Sequence, residues 1–331
     1  MTATTPTAQP PAILERLSAQ RDWLGPLVAV LVILSALPFL GIDVPEVLVR
    51  CCPLLLTALA VTIPARTGLV NVGGEGQFAL GAVGAAAFAT ALTPETPGLV
   101  GIVVIAIGGT LFGALWAGVA ALLKVTAGVN ETISTLLLNY VATLILAYSV
   151  TGPLKDPEAA NFPIGAPIPD ATRLPEINGV HMGVVVALIL AAAAAWLLGR
   201  TRWGFKARVA GGNPRAALRN GLPVGILIVG ALLLGGALAG LAGALEVMGP
   251  DGRLRQGLGV GFGFLGFLAS WLAMHRPGWT VAAVVLIASI SVGGDSLQLD
   301  LGLPATSVYV VTATVLLVVL GWRGTRSGAR S

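Results

Sequence analysis

Long apolar runs broken by short clusters of Pro, Gly and charge set the pattern of this chain. The plainest run, GLVGIVVIAIGGTLFGALWAGVAALL from 98 to 123, carries no charged side chain. A helix of roughly 18 or more such residues is long enough to cross a bilayer. With the Pro, Gly and charge clusters as boundaries, spans are predicted near 24–42, 47–65, 68–92, 98–123, 130–150, 181–199, 223–247, 258–274, 279–294 and 303–321. The fold class that follows is an all-α, polytopic membrane helical bundle of about ten spans. The third and eighth spans are too rich in Gly and polar residues for plain lipid-facing helices. Either can be a broken or re-entrant segment buried among its neighbours, because hydrocarbon offers no partner to free backbone groups.

Composition strengthens this picture, since 56% of the side chains are hydrophobic and only 10% charged, against about 25% charged in soluble domains. The start, MTATTPTAQPPAILERLSAQRDW, is polar and Pro/Thr-rich, and no small-residue cleavage pattern follows the first apolar run, so no signal peptide is expected. The predicted organisation is a polar tail over 1–22, a single transmembrane domain over 23–322 and a basic tail over 323–331. Cys51 and Cys52 are adjacent inside an apolar run and read as small buried hydrophobes rather than a bridge. The net charge of +4 calls for no nucleic-acid partner, because Lys and Arg near membrane boundaries orient the chain.

The loop over 200–222 holds Arg200, Arg202, Lys206, Arg208, Arg215 and Arg219 without an acid. Ten crossings place Arg16, Arg21, Lys124, His275, Arg276, Arg323, Arg326 and Arg330 on the same side as that loop. The other side receives Asp43, Glu46, Glu95, Asp295, Asp300 and the long loop over 151–180 with Asp156, Glu158, Asp170 and Glu176. Arg253 and Arg255, beside Asp251, run against the trend. Short basic loops stay in the cytoplasm, so both termini are expected there. Gly109-x-x-x-Gly113 and Gly236-x-x-x-Gly240 have the spacing that lets membrane helices approach closely.

Two polar groups interrupt the apolar chain. LVNVGGEGQFALG, from 69 to 81, carries Asn71, Glu75 and Gln77. An acid at mid-membrane costs about 2.5–3.5 kcal/mol on insertion scales, so Glu75 requires a protonated carboxyl, a hydrogen-bonded cluster or a wet cavity. It either ties helices together or lines an aqueous path. GVNETISTLLLNY, from 128 to 140, brings Asn130, Glu131, Thr132, Ser134, Thr135 and Asn139 to the start of the fifth span. Asn130 has the chemistry of an N-cap, and Glu131 in the first turn complements the helix dipole. In the basic loop Asn213 can cap a short helix, Pro214 fits its first position and Gly221 can end it left-handed. Such a helix with Arg208, Arg215 and Arg219 around it makes a docking surface, the alternative being a merely solvated basic loop.

Other signals are discounted. GFGFLG, from 261 to 266, matches G-x-G-x-x-G but follows no strand and runs into an apolar span. No phosphate-binding G-x-x-x-x-G-K-[ST] loop occurs. His181 and His275 sit at opposite membrane boundaries, so no metal site follows. No nucleophile and base are paired, and no catalytic constellation is found.

Four ordered blocks together resemble a known family. TGLVNVGGEGQFALGA (67–82), KVTAGVNETISTLLLNYVA (124–142), TRWGFKARVAGGNPRAALRNGL (201–222) and GALAGLAGALEVMG (236–249) are similar to the permease subunits of bacterial ATP-binding cassette importers for nucleosides. They resemble the guanosine-type branch of the larger group that also holds simple-sugar and branched-chain amino acid permeases. The eighth-span block departs from the pattern, with bulky residues from Leu268 to Leu272.

The resemblance implies a multi-pass protein of the bacterial inner or plasma membrane, in contact with membrane lipid. It implies a pore shared with a second homologous permease subunit, a cytoplasmic ATPase and an extracytoplasmic substrate-binding lipoprotein. ATP belongs to the partner ATPase, so no cofactor is expected on this chain. It further implies that Gly211, Gly212, Asn213 and Pro214, flanked by Arg208 and Arg215, form the coupling helix that meets the ATPase. On this reading Asn71, Glu75, Gln77, Glu131 and Asn139 offer hydrogen bonds to ribose hydroxyls or base edges along the translocation path. Phe264, with Phe262 and Phe267, either offers a face for stacking on a base or packs in the core. The alternatives are the same machinery for a simple sugar such as ribose, or an ion-coupled secondary transporter.

Overall fold

The computed structural model describes residues 12–93, 95–160, 162–301, 310 and 314. Among these residues the apolar runs fold into α1 (Ala12–Ala36), α2 (Val44–Ala65), α3 (Gly74–Ala89), α4 (Gly98–Ala127), α5 (Glu131–Thr151) and α6 (Gly183–Arg200). They continue as α7 (Arg202–Gly212), α8 (Pro214–Arg219), α9 (Val224–Met248), α10 (Phe262–Leu272) and α11 (Pro277–Leu301). The chain is mostly helical. Short strands, which the apolar pattern did not announce, occupy the connections: β1 (Ile164–Pro167) pairs antiparallel with β4 (Arg253–Arg255), and β2 (Glu176–Ile177) with β3 (Val180–His181).

Among the described residues six helices are long and apolar enough to cross a membrane: α2, α4, α5, α6, α9 and the Pro277–Ser296 part of α11. The shorter apolar stretches Leu24–Leu40 and Phe262–Leu272 accompany them. The third and eighth predicted spans are the short helices α3 and α10, each preceded by non-helical chain. The tenth, 303–321, and the basic tail, 323–331, lie outside the described residues apart from Val310 and Thr314. Residues 12–22, within the predicted polar tail, are helical. Once past Pro10 and Pro11, AILERLSAQRD is built mostly of good helix formers.

The packing follows from side-chain size. α2 is buried continuously from Cys51 to Pro64 and stands at the centre against α6, α9, α10 and α11. α3, built largely of Gly and Ala, is enclosed by α4, α5 and α9. α4 turns Leu99, Val103, Ile107, Leu111, Leu115 and Val119 outward at a spacing of four, while Gly109, Gly113 and Ala117 are buried. That division fits a helix with lipid on one side and close backbones on the other. The two predicted small-residue pairs face each other: Cβ atoms placed on Gly113 or Gly240 would overlap the carbonyl oxygens of Gly236 and Gly109 respectively.

The bundle has two distinct ends. α2 and α10 finish at the end carrying α7 and α8, where Gly68 packs on Gly211 and Arg66 donates to the His275 carbonyl at 3.1 Å. α9 and α11 finish at the other end, where Arg50 near the start of α2 pairs with Asp295 and where β4 lies.

Candidate functional site

After α2 the chain turns and runs without regular structure from Leu69 to Val72 before α3 begins. This stretch lies among helices, so its backbone groups need partners inside the protein. α5 supplies them from Glu131, Thr135 and Asn139, which a spacing of four places on one helix face. Val70 N donates to Glu131 Oε1 at 3.5 Å, and Val72 N to Thr135 Oγ1 at 3.2 Å. Asn139 Nδ2 donates to the Val72 carbonyl at 2.9 Å, and its Oδ1 accepts from Gly76 N at 2.8 Å.

Asn71 and Gln77 close the opposite side. Asn71 Nδ2 donates to Gln77 Oε1 at 3.1 Å, Gln77 Nε2 returns a bond to Asn71 Oδ1 at 3.0 Å, and Asn71 also reaches the Ala60 carbonyl at 3.0 Å. The two polar groups that are separate in sequence thus form one buried cluster that holds the broken start of α3. Lys124 Nζ meets Glu131 Oε2 at 2.7 Å, and Asn130 caps α5 through Thr132 N at 2.9 Å, as its position before the helix predicts.

Glu75, in the first turn of α3, reaches a different helix. Its Oε1 accepts from Gly261 N at 2.7 Å and its Oε2 from Gly263 N at 2.8 Å. The first N–H groups of a helix have no partner within it and favour negative charge, so Glu75 caps α10 from outside. Of the three ways to keep this acid in the membrane interior, the structure uses hydrogen bonding. The approach needs Gly263, where a Cβ would overlap the Glu75 backbone nitrogen. Gly261 supplies the left-handed turn into the helix with φ of 93°. The glycines of GFGFLG therefore serve a helix-to-helix contact. Gly261 and Gly263 escaped the reading of site residues, and the available signal was a glycine-rich broken span elsewhere in a chain with an uncompensated acid.

α3 and α10 form a pair of half-helices. The non-helical segment before α3 comes from the α7–α8 end, the loop before α10 from the β4 end, and the two helix starts meet inside the bundle. Phe264 is 42% exposed. Phe262 packs edge-on against Phe78 with ring centroids 5.9 Å apart, and Phe267 lies 5.9 Å from Trp271.

At the α7–α8 end, Asn213 Oδ1 accepts from Ala216 N at 3.0 Å, Pro214 opens α8, and Gly221 follows it with φ of 76°. The short helix thus has the predicted cap, start and stop. α7 before it, capped by Thr201 through Gly204 N at 3.1 Å, was not anticipated. Gly211 and Gly68 make the joint with the body, and a Cβ on Gly211 would overlap the Arg66 carbonyl oxygen. Arg208 is anchored to the Leu198 carbonyl at 3.1 Å, whereas Gly212, Asn213, Pro214 and Arg215 are exposed, with Phe205 and Leu218 beside them. Burial, then the nearby Arg208 and Arg276, hold the Arg66 guanidinium below its usual range. Burial, then Arg66, push His275 down as well, and its Nδ1 lies 2.8 Å from the Ser270 hydroxyl.

The family model described as the branched-chain amino acid transport system / permease component matches residues 44–320, which include every residue of this site. The chain belongs to this permease family. It is a multi-pass membrane protein of a family of transport-system permease components. The permease is 34% identical to a glucose ABC transporter permease of Haloferax volcanii, over 83% of this chain and 75% of that one. It is 29% identical to a guanosine ABC transporter permease of Bacillus subtilis, over 83% of this chain and 80% of that one. A nucleoside ABC transporter permease of Lactococcus lactis subsp. cremoris is 26% identical over 84% and 79% of the respective chains. No solved structure matches the permease.

Proposed function

We propose that the permease is the transmembrane subunit of an ATP-driven importer and forms part of the translocation path for nucleosides, purine nucleosides first. The observation that carries this reading is the meeting of two half-helices inside the bundle of a chain of this family. Discontinuous helices are where many transporters bind cargo near the midplane, because unwound backbone and helix ends supply polar groups there. Asn71, Glu75, Gln77, Glu131 and Asn139 shape that discontinuity, and exchange internal hydrogen bonds for substrate hydroxyls as the halves of the importer rock. Phe264 and Phe262 supply aromatic surface along the path.

On this reading the α7–α8 end faces the cytoplasm of a bacterial cell, and both termini lie there. The ATPase, which carries the ATP, docks on Gly211, Gly212, Asn213, Pro214 and Arg215, with Arg208 bracing the loop from behind. A second homologous permease completes the pore, and a lipoprotein delivers substrate at the opposite end. Gly211→Val is expected to displace the loop, since overpacking costs about 1–3 kcal/mol. ATPase copurification and uptake should then fall roughly tenfold or more while the chain still inserts; unchanged copurification would argue against docking at this loop.

A second reading, a simple sugar as cargo, is favoured by the 34% identity to the glucose permease. Competition separates the two. In cells without other nucleoside carriers, labelled guanosine uptake dependent on this chain should be blocked by excess adenosine and spared by excess glucose or ribose. Absence of guanosine uptake together with chain-dependent glucose or ribose uptake would replace the first reading with the second.

A further inference from the structure

A cavity of ≈ 410 Å³ opens at the β4 end, lined by Arg50, Glu246, Arg255, Phe262, Ser291 and Asp295 among other described residues. Its size falls within the roughly 300–1,000 Å³ of small-molecule sites. Phe262 and the backbone of Gly257 and Gly259 form the side next to the half-helix centre, since Phe262 opens α10.

Most of the charge in this cavity is matched. Arg50 pairs with Asp295, donates to the Ser291 hydroxyl at 2.9 Å and lies 3.6 Å from Glu46. Arg255 pairs with Asp251. Glu246 is the exception: it is 9% exposed, and among the described residues its carboxylate has no hydrogen bond and no ion pair. A buried carboxylate without a donor is costly. The open side of Glu246 is the cavity.

We infer that Glu246 is a substrate-binding residue that takes a vicinal pair of hydroxyl groups of a neutral, polyhydroxylated ligand, with the ring face against Phe262. Two carboxylate oxygens match two adjacent O–H donors. With Arg50 and Arg255 matched by Asp295 and Asp251, the open group is Glu246, which disfavours an anion and accepts from the O–H donors of a neutral ligand. The inference rests on the proposed transport function, and it deepens it: the ribose 2′,3′-diol of a nucleoside and the ring hydroxyls of a sugar present the same chemistry. It locates discrimination at the mouth of the permease, separate from the cluster around Asn71 and Gln77.

The test compares ATP-dependent uptake of labelled guanosine and 2′-deoxyguanosine by the complete importer carrying wild-type chain, Glu246→Gln or Glu246→Ala, with the same binding protein throughout; glucose and 2-deoxyglucose serve if sugar is the cargo. A hydrogen bond to the Glu246 carboxyl is lost with the deoxy compound, so the wild-type preference for the hydroxylated substrate should shrink about tenfold in Glu246→Ala. Glu246→Gln, of the same shape, should lie between. Unchanged preference in both variants, or in Glu246→Gln alone if the Ala variant does not assemble, overturns the inference while leaving the transport function standing. No uptake of nucleoside or sugar by the wild type overturns the transport reading itself, and the inference with it.

Discussion

Glu75→Ala is expected to bring uptake to background and to destabilise the permease. The substitution leaves Gly261 N and Gly263 N, now bonded to the carboxylate at 2.7 and 2.8 Å, facing a space with no acceptor. Each abandoned buried donor costs about 1–3 kcal/mol, so about 2–6 kcal/mol is lost where α10 meets α3. Glu75→Gln keeps one acceptor oxygen but sets an NH₂ group against the second N–H, and should fall between Ala and the wild type. The measurements are the thermal midpoint of the solubilised protein and chain-dependent uptake, which should both fall in the order Glu, Gln, Ala. Full uptake by the Ala variant would mean that the contact between the half-helices is dispensable.

Gly240→Val is expected to prevent recovery of folded permease. A Cβ at Gly240 would overlap the Gly109 carbonyl oxygen and come to 2.8 Å from Gly113 Cα. Both obstacles are helix backbone, which cannot rotate away, so α4 and α9 must separate. Relief would also loosen α3, because Gly81 packs on Gly240. Overpacking of about 1–3 kcal/mol is typical where side chains can yield, and a larger cost is expected here. Gly199→Ala is the control: on α6, with no atom within 4 Å of its Cβ position, it should leave yield and thermal midpoint unchanged. Normal yield of the Gly240→Val protein would contradict the packing of α4 against α9.

Much of this architecture could be read along the chain, for physical reasons. Apolar runs long enough to span hydrocarbon can do little else, so the predicted spans from 47–65 to 279–294 all contain helices. The Gly-rich third and eighth spans announced their interruption, because a lipid-facing helix has no use for Asn71, Glu75 and Gln77 or for a GFGFLG stretch. Asn213, Pro214 and Gly221 encode a helix start and stop locally, and α8 obeys them.

Long-range pairing was less legible. The acceptor role of Glu75 depends on backbone N–H groups 186 and 188 residues away, and backbone donors leave no mark in a sequence. Glu131, Thr135 and Asn139 stand at a helical spacing of four, but their partners are backbone groups of Val70, Val72 and Gly76, for the same reason hidden. Glu246 lies within GALAGLAGALEVMG, and nothing in that stretch of sequence shows that the charges around it are matched with each other.

An ATP-driven importer differs from an ion-coupled carrier in its energy source, so labelled guanosine uptake in cells with and without the chain, with ATP and the ion gradient collapsed separately, tests the role of this permease. Uptake should require the chain, stop when ATP is depleted and persist when the gradient alone is abolished. Chain-dependent uptake that survives ATP depletion and vanishes with the ion gradient would contradict that role and make the permease part of an ion-coupled transporter.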